Sequence, residues 1–179
     1  MAERERARSL LVQQMLIQAV CSQDVSAIER LVHNGADVNM TIEGTNALYV
    51  ASQSGYLAVV RSLLSLGADP NQQAADGSTP VMSAAFRGHV EVVMALVEGG
   101  ADVHISLPAD GVTAVHLAAQ EGHVACIRVL VASGANVNVT ASDGATALYV
   151  AAQNNQLEAI KVLYKLGADM SICHKSYSP

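Results

Sequence analysis

Histidine and cysteine are the side chains of this sequence best suited to catalytic or metal chemistry. The 179 residues include six histidines and three cysteines. A zinc site needs such ligands at close spacings, and nucleophilic catalysis needs a serine or cysteine beside a base. The cysteines (Cys21, Cys126 and Cys173) form no C-x-x-C pair, no two histidines stand at i and i+4, and no Walker loop, G-x-S-x-G or H-E-x-x-H motif occurs. We therefore expect no enzyme activity, no metal and no cofactor.

Composition narrows the class of protein further. Hydrophobic residues make up 51% of the chain, with one Phe and no Trp, so the core must consist mainly of Ala, Val and Leu. The net charge is −6 with only ten Lys and Arg, which argues against nucleic-acid binding. No run of 18 apolar residues occurs, so we expect no membrane span. Widely spaced single cysteines indicate a reducing compartment, either the cytoplasm or the nucleus.

The dipeptide Gly-Ala recurs at a nearly constant period. Its five occurrences are separated by 32, 33, 34 and 33 residues. An Asp or Asn follows each one, as in Asp37-Val38-Asn39. Periods of this length indicate a repeat array rather than one globular core. The dipeptides begin at Gly35, Gly67, Gly100, Gly134 and Gly167.

A second block precedes each of these glycines and predicts two short helices per unit. In the third unit Thr79 is a favourable N-cap and Pro80 suits the first helical position. An Ala-rich helix follows, and Gly88 predicts a left-handed break. The apolar residues of 90–98 then recur at helical spacing. Asp-Gly turns join the later units, with Glu43-Gly44 in the first junction.

These motifs together resemble the ankyrin repeat, whose pattern is D-x-x-G-x-T-P-L-H-x-A-A-x-x-G-H followed by a second helix ending in G-A-D-V-N. The resemblance spans residues 14–173. It implies an all-α ankyrin-repeat solenoid, with helix-turn-helix units of about 33 residues joined by hairpin-like turns. We expect a single domain over 1–179. Its predicted units are 1–40 (a cap-like first unit), 41–72, 73–105, 106–139 and 140–173, with 174–179 as a tail or the start of a further repeat.

The chain departs from the pattern at several places. Unit one lacks the Thr-Pro cap, and the apolar run of 10–20, broken by three Gln, predicts an amphipathic first helix rather than a signal peptide. Unit five has Asn155-Gln156 in place of Gly-His, which leaves its helix break open. The junction that contains Pro108 has one extra residue. Ser178-Pro179 stands where a sixth Thr-Pro cap would fall.

The resemblance implies a non-catalytic module that binds a protein or peptide through a concave groove and the turn tips, and we expect a monomer. Two alternatives stay open. One is a targeting or regulatory segment of a larger protein (a ubiquitin-ligase adaptor, enzyme or channel), and the other is an engineered binding scaffold. The variable positions of the motif are the candidate contacts: Gln53, Ser54, Asp76, Ser78, Phe86, Arg87, Asp110, Val112, Gln120, Glu121, Asp143, Gln153 and Asn154.

Each class of candidate has a structural alternative. Phe86 and Arg87 have the composition of an interface hot spot, but Phe86 could instead cover a neighbouring repeat. An Asp before Gly is commonly a turn former. Asn39 resembles the site of asparagine hydroxylation in ankyrin repeats, but it could simply bond the turn backbone.

Overall fold

A computed structural model describes the backbone of residues 2–171 and the side chains of residues 10–171. Within that range it contains helices and isolated bridges but no strand, which confirms the all-α prediction. Each predicted unit contains one helix pair, while the bounds of the units stay a prediction. The helices are α1 Ala2–Cys21, α2 Val25–His33, α3 Ala47–Ser54, α4 Leu57–Ser65, α5 Pro80–Arg87, α6 Val90–Glu98, α7 Ala114–Gln120, α8 Val124–Ala132, α9 Ala147–Gln153 and α10 Leu157–Lys165.

The helices form two layers. The first helices of the units (α1, α3, α5, α7 and α9) pack against one another in chain order and make the inner layer. The second helices (α2, α4, α6, α8 and α10) do the same in the outer layer, and each inner helix also packs on its own outer partner. The array therefore grows along one axis, because each unit contacts its sequence neighbours.

Small residues let the inner helices approach closely, and one leucine in each of units two to five anchors the outer layer. Most alanines of α3, α5, α7 and α9 are fully buried, Ala51 and Ala118 among them. Leu63 and its equivalents in the three following units have no exposed surface. Burying a leucine side chain stabilises a fold by about 1.5–3 kcal/mol, so this column is a principal source of cohesion. Its members are Leu63, Leu96, Leu130 and Leu163.

The inner helices begin at the predicted caps. The side chains of Asn46, Thr79 and Thr146 each accept a hydrogen bond from a backbone N–H three residues on. Thr113 uses a different arrangement, because its own N–H donates to Nδ1 of His116 at 3.2 Å. The predicted N-termini of α3, α5, α7 and α9 are thereby confirmed.

The breaks between inner and outer helices are left-handed, as predicted. Gly55, Gly88 and Gly122 have φ between 74° and 76°. The same break persists in unit five, where Asn155 has φ 56°, and in unit one, where Gln23 has φ 56°. The Asn155-Gln156 substitution therefore leaves the helix-turn-helix intact.

The turns that join the units project as hairpin-like fingers of unequal length. In the first finger Ile42 pairs with Thr45, and in the longest Leu107 N–H donates to Val112 O. Backbone hydrogen bonds link the first finger to the second and the third finger to the fourth. Between the second and third fingers, the ring of Pro108 instead packs directly over Gly77. Because proline has no N–H, the extra residue of this junction replaces the inter-finger hydrogen bond with a steric contact.

Helix α1 differs from the prediction in length. It begins at Ala2, well before residue 10, and is 20 residues long. Buried Gln13 donates from Nε2 to Met40 O at 3.2 Å, which holds α1 beside the first finger. The chain thus enters the array as a helix where later units enter through a finger. None of the helices in the described residues is long and apolar enough to cross a bilayer. The predictions for Cys173 and for Ser178-Pro179 lie outside the described residues.

Candidate functional site

The candidate contact residues that lie on helices stand at the C-terminal ends of the inner helices. Because these helices repeat in register, their last residues form a row along the inner layer. All but Phe86 and Gln120, which are partly buried, are exposed to solvent. The row consists of Gln53, Ser54, Phe86, Arg87, Gln120, Glu121, Gln153 and Asn154.

Phe86 and Arg87 form an aromatic–cation pair in the middle of this row. The guanidinium carbon of Arg87 lies 5.7 Å from the centroid of the Phe86 ring, within the range of a cation–π interaction. Arg87 is exposed and Phe86 is partly buried, so the ring neither stands free nor lies wholly under a neighbouring repeat. The pair offers a partner an apolar face and a positive charge at one point.

The amide and carboxylate neighbours are tied to one another or to the helix. Gln120 donates to Glu121 at 2.9 Å, so this carboxylate is engaged within its own unit. Gln153 donates to the Tyr149 hydroxyl at 3.0 Å and Asn154 to the Val150 carbonyl at 2.9 Å. The polar part of the row is therefore partly preorganised.

The finger carboxylates serve as turn formers. Asp76, Asp110 and Asp143 each accept a hydrogen bond from the backbone N–H two residues on, at 2.9, 3.1 and 2.8 Å. Hydrogen bonds from the Ser78 hydroxyl and backbone N–H lower the pKa of Asp76 below its usual value. All three side chains are exposed, so they can present charge as well as stabilise the turn.

Two finger candidates are less accessible than their position in the sequence indicates. Ser78 is only 7% exposed, and its hydroxyl donates to Asp76 and lies 3.1 Å from the Tyr49 hydroxyl, from which it can accept. Val112 is partly buried at the base of its finger. In this conformation Ser78 holds its finger against unit two and presents almost no surface to a partner.

The histidines that follow the left-handed breaks join successive units. Nε2 of His89 donates to Gln53 O at 3.2 Å, and Nε2 of His123 donates to Phe86 O at 3.0 Å. Gln156 makes the equivalent bond to Gln120 O at 3.0 Å. Gln156 therefore replaces a histidine in function, which its place in the period could have indicated but the motif, read as Gly-His, did not.

Asn39 belongs to another inter-unit ladder. Its amide donates to Gly67 O at 3.2 Å and accepts from Asp69 N at 2.8 Å. Asn71 and Asn138 repeat both bonds in their own units. Both the nitrogen and the oxygen of the Asn39 side-chain amide are thus hydrogen-bonded within the fold. Hydroxylation of Asn39 stays a prediction.

The remaining reactive side chains are isolated. Cys21 and Cys126 are free thiols, the first exposed and the second buried. Burial raises the pKa of Cys126 to about 11, which disfavours the reactive thiolate. Within the described part of the chain, no three His, Cys, Asp or Glu side chains are grouped as a metal site would need.

Comparison with known proteins decides the family. A family model described as ankyrin repeats (3 copies) matches residues 9–74, 60–141 and 81–172, which together cover nearly the whole chain. The protein belongs to the ankyrin-repeat family. The repeated helix pairs and fingers described above are therefore ankyrin repeats, a fold generally used for protein interaction and generally without catalysis.

The ankyrin repeats of this chain are similar to segments of much longer proteins. They are 36% identical over 87 residues to alpha-latrocrustotoxin-Lt1a of Latrodectus tredecimguttatus, covering 48% of this chain and 6% of the toxin. They are 34% identical over 79 residues to the inactive serine/threonine-protein kinase TEX14 of Mus musculus, covering 44% of this chain and 5% of that protein. They are 38% identical over 80 residues to the human 2-5A-dependent ribonuclease, covering 44% of this chain and 11% of the ribonuclease.

Proposed function

We propose that this chain is a non-catalytic ankyrin module that binds a protein or peptide through the inner-layer row and the finger tips. The observation that carries the proposal is the Phe86–Arg87 pair. Exposed aromatic and Arg side chains at the centre of an interface commonly supply much of the binding energy. This pair lies in the third of five units, with exposed polar side chains on both sides.

The charges around the pair favour a partner of mixed character. Asp76, Asp110 and Asp143 present one exposed carboxylate on each of three successive fingers. A partner with basic residues facing the fingers and an apolar or acidic group facing Phe86 and Arg87 would be complementary to this surface. The net charge of −6 also favours encounters with basic partners.

The test is a pull-down that compares the wild type with Phe86→Ala/Arg87→Ala. The matched control is Met94→Ala/Arg128→Ala, which removes an exposed apolar side chain and an exposed Arg from the outer layer. We expect the first variant to lose the captured partner and to weaken its binding by about 2 kcal/mol or more. The control should retain binding.

A thermal melt of Phe86→Ala separates binding from packing. Because the ring is partly buried, we expect a loss of stability well below the roughly 3–5 kcal/mol that truncating a core Phe costs. A large loss of stability with an unchanged set of partners would show that Phe86 is a packing residue, and the proposal would then be wrong.

A second candidate function is a targeting or regulatory ankyrin segment within a larger protein. The lengths of the relatives favour it, because the chain covers only 5% to 11% of three of the proteins it matches. A ubiquitin-ligase adaptor, an enzyme or a channel could each contain such a segment. Measuring the mass of the native polypeptide by immunoblot distinguishes this function from that of a free-standing module.

The free thiols support a reducing compartment, so we propose the cytoplasm or the nucleus as the location of a monomeric module. Hydroxylation of Asn39 in animal cells is a further part of the proposal. Its amide would keep both inter-unit bonds if the oxygen were added at Cβ. Peptide mass spectrometry of protein isolated from animal cells tests it, and unmodified Asn39 would remove it.

A further inference from the structure

The side of unit five that faces away from unit four is an exposed apolar surface, which we call the end face. Ala152 is exposed on the inner helix α9, and Leu157 and Tyr164 on the outer helix α10 are 68% and 62% exposed. Met170, which follows helix α10, is 70% exposed. Large apolar side chains exposed together on one side of a unit indicate a surface that something covers.

The same positions are covered in the internal units. The residues equivalent to Leu157 and Tyr164 in units two, three and four are partly buried and packed against the core. Those equivalent to Ala152 have no exposed surface. Val103, equivalent to Met170 in unit three, is 5% exposed. The equivalents are Leu57, Val90 and Val124 for Leu157; Leu64, Val97 and Val131 for Tyr164; and Ser52, Ala85 and Ala119 for Ala152.

A following unit supplies both the cover and a hydrogen-bond donor. The carbonyls of Gln53, Phe86 and Gln120 each accept from a side chain of the next unit. The Gln153 carbonyl occupies the same position in unit five. The end face therefore continues an established interface and would accommodate a unit with an Ala-rich inner helix and a His or Gln after its break.

A second copy of this chain would fit the end face poorly. The small or proline residue that begins each later inner helix is buried, whereas unit one has Met15 at this position, 51% exposed. Arg30 is exposed at the position that Ser62, Ala95 and Val162 bury in later units. Head-to-tail stacking would force this bulky side chain and this charge into a tightly packed interface.

We propose that the end face is the seat of a sixth helix-turn-helix unit of the same repeat type, which follows residue 171 in the same polypeptide. The four existing interfaces are all made by consecutive units. This inference does not depend on the proposal that a partner binds the row of residues along the inner layer.

Hydroxyl-radical footprinting tests the proposal on two proteins, the 179-residue chain and the product of the complete reading frame that encodes it. We expect oxidation of Tyr164 and Met170 to be several-fold slower in the complete product. Met94, exposed on α6, and Met15, exposed at the opposite end, are internal controls whose oxidation should not change. Equal rates at Tyr164 and Met170 in the two proteins, or a reading frame that ends at Pro179, would overturn the proposal.

A concentration series and a paired variant identify the occupant. If oxidation of Tyr164 and Met170 in the 179-residue chain slows as its concentration rises, a second copy covers the end face and the proposal is wrong. In the complete product, Leu157→Lys/Tyr164→Lys should restore rapid oxidation of Met170, whereas Met94→Lys should not. In the 179-residue chain the same double variant should leave the melting temperature unchanged, because both side chains are exposed there. A large drop in that melting temperature would show that these residues pack within unit five and would also overturn the proposal.

Discussion

His116 is a neutral, buried link between two units. It is 1% exposed, its Nδ1 accepts from Thr113 N–H, and its Nε2 donates to Ala145 O at 3.2 Å. Desolvation by burial lowers its pKa below 6.5, outweighing the bonds to backbone carbonyls that act in the opposite direction. In the unfolded chain the imidazole titrates near its ordinary pKa of about 6.5.

This shift predicts a pH dependence of stability. Between the folded pKa and pH 6.5 the unfolded chain binds more protons, so the stability contributed by neutral His116 is present above pH 6.5 and is lost as the pH falls below it. We expect urea midpoints to fall on acidification from pH 7.5 to 5.5, and to fall less in His116→Gln. His33→Gln, at an exposed position, serves as the control and should retain the wild-type slope. Identical slopes for the wild type and His116→Gln would contradict this account.

Ser62 carries a polar atom that the fold does not satisfy. Its hydroxyl is buried in α4 without a hydrogen-bond partner, at the position occupied by Ala95 in unit three. We expect Ser62→Ala to raise the free energy of unfolding by about 1 kcal/mol, because it removes an unsatisfied buried group. Ser52→Ala is the matched control, since the Ser52 hydroxyl donates to Leu48 O at 2.7 Å, and it should give no such gain. Equal changes in the free energy of unfolding for Ser62→Ala and Ser52→Ala, measured by chemical denaturation, would argue against this explanation.

At the scale of the element, the left-handed breaks determine how each helix pair is built. Three units place glycine there, but Gln23 adopts φ 56° in unit one. A residue with a Cβ costs roughly 1–2 kcal/mol in this region, which glycine avoids at a smaller cost in unfolded-chain entropy. The first helix pair is therefore locally strained at its turn.

We expect Gln23→Gly to stabilise the protein by about 0.5–1 kcal/mol in thermal or urea unfolding. Gln18→Gly makes the same substitution inside helix α1, where glycine should instead cost about 1 kcal/mol. If both variants destabilise the protein equally, strain at Gln23 is not the controlling factor.

At the scale of the whole molecule, stability in the 179-residue chain should be lowest in the two outermost described units. An internal unit is packed on both sides, whereas the described parts of units one and five leave Met15 and Leu157 more than half exposed on their outward sides. Hydrogen exchange should be fastest before Asp24 and after Leu157 and slowest in α5 and α6. Uniform protection along the chain would refute this prediction.

The sequence by itself determined the period, the class of fold and the ends of most helices. Asn46, Thr79 and Gly88 could be interpreted locally, because caps and left-handed turns demand particular residue types wherever they occur. The same local logic predicted that Asp76 forms a turn. The family resemblance then implied protein binding without chemistry.

Only the tertiary structure decided which of these positions a neighbour covers. Ser78 is buried and Phe86 partly buried because units about 33 residues away pack beside them, and no local pattern records that packing. Gln156 preserves an inter-unit bond for the same reason, and Leu157 is exposed although its equivalents are not. Burial depends on both sides of an interface, whereas a sequence motif describes only one.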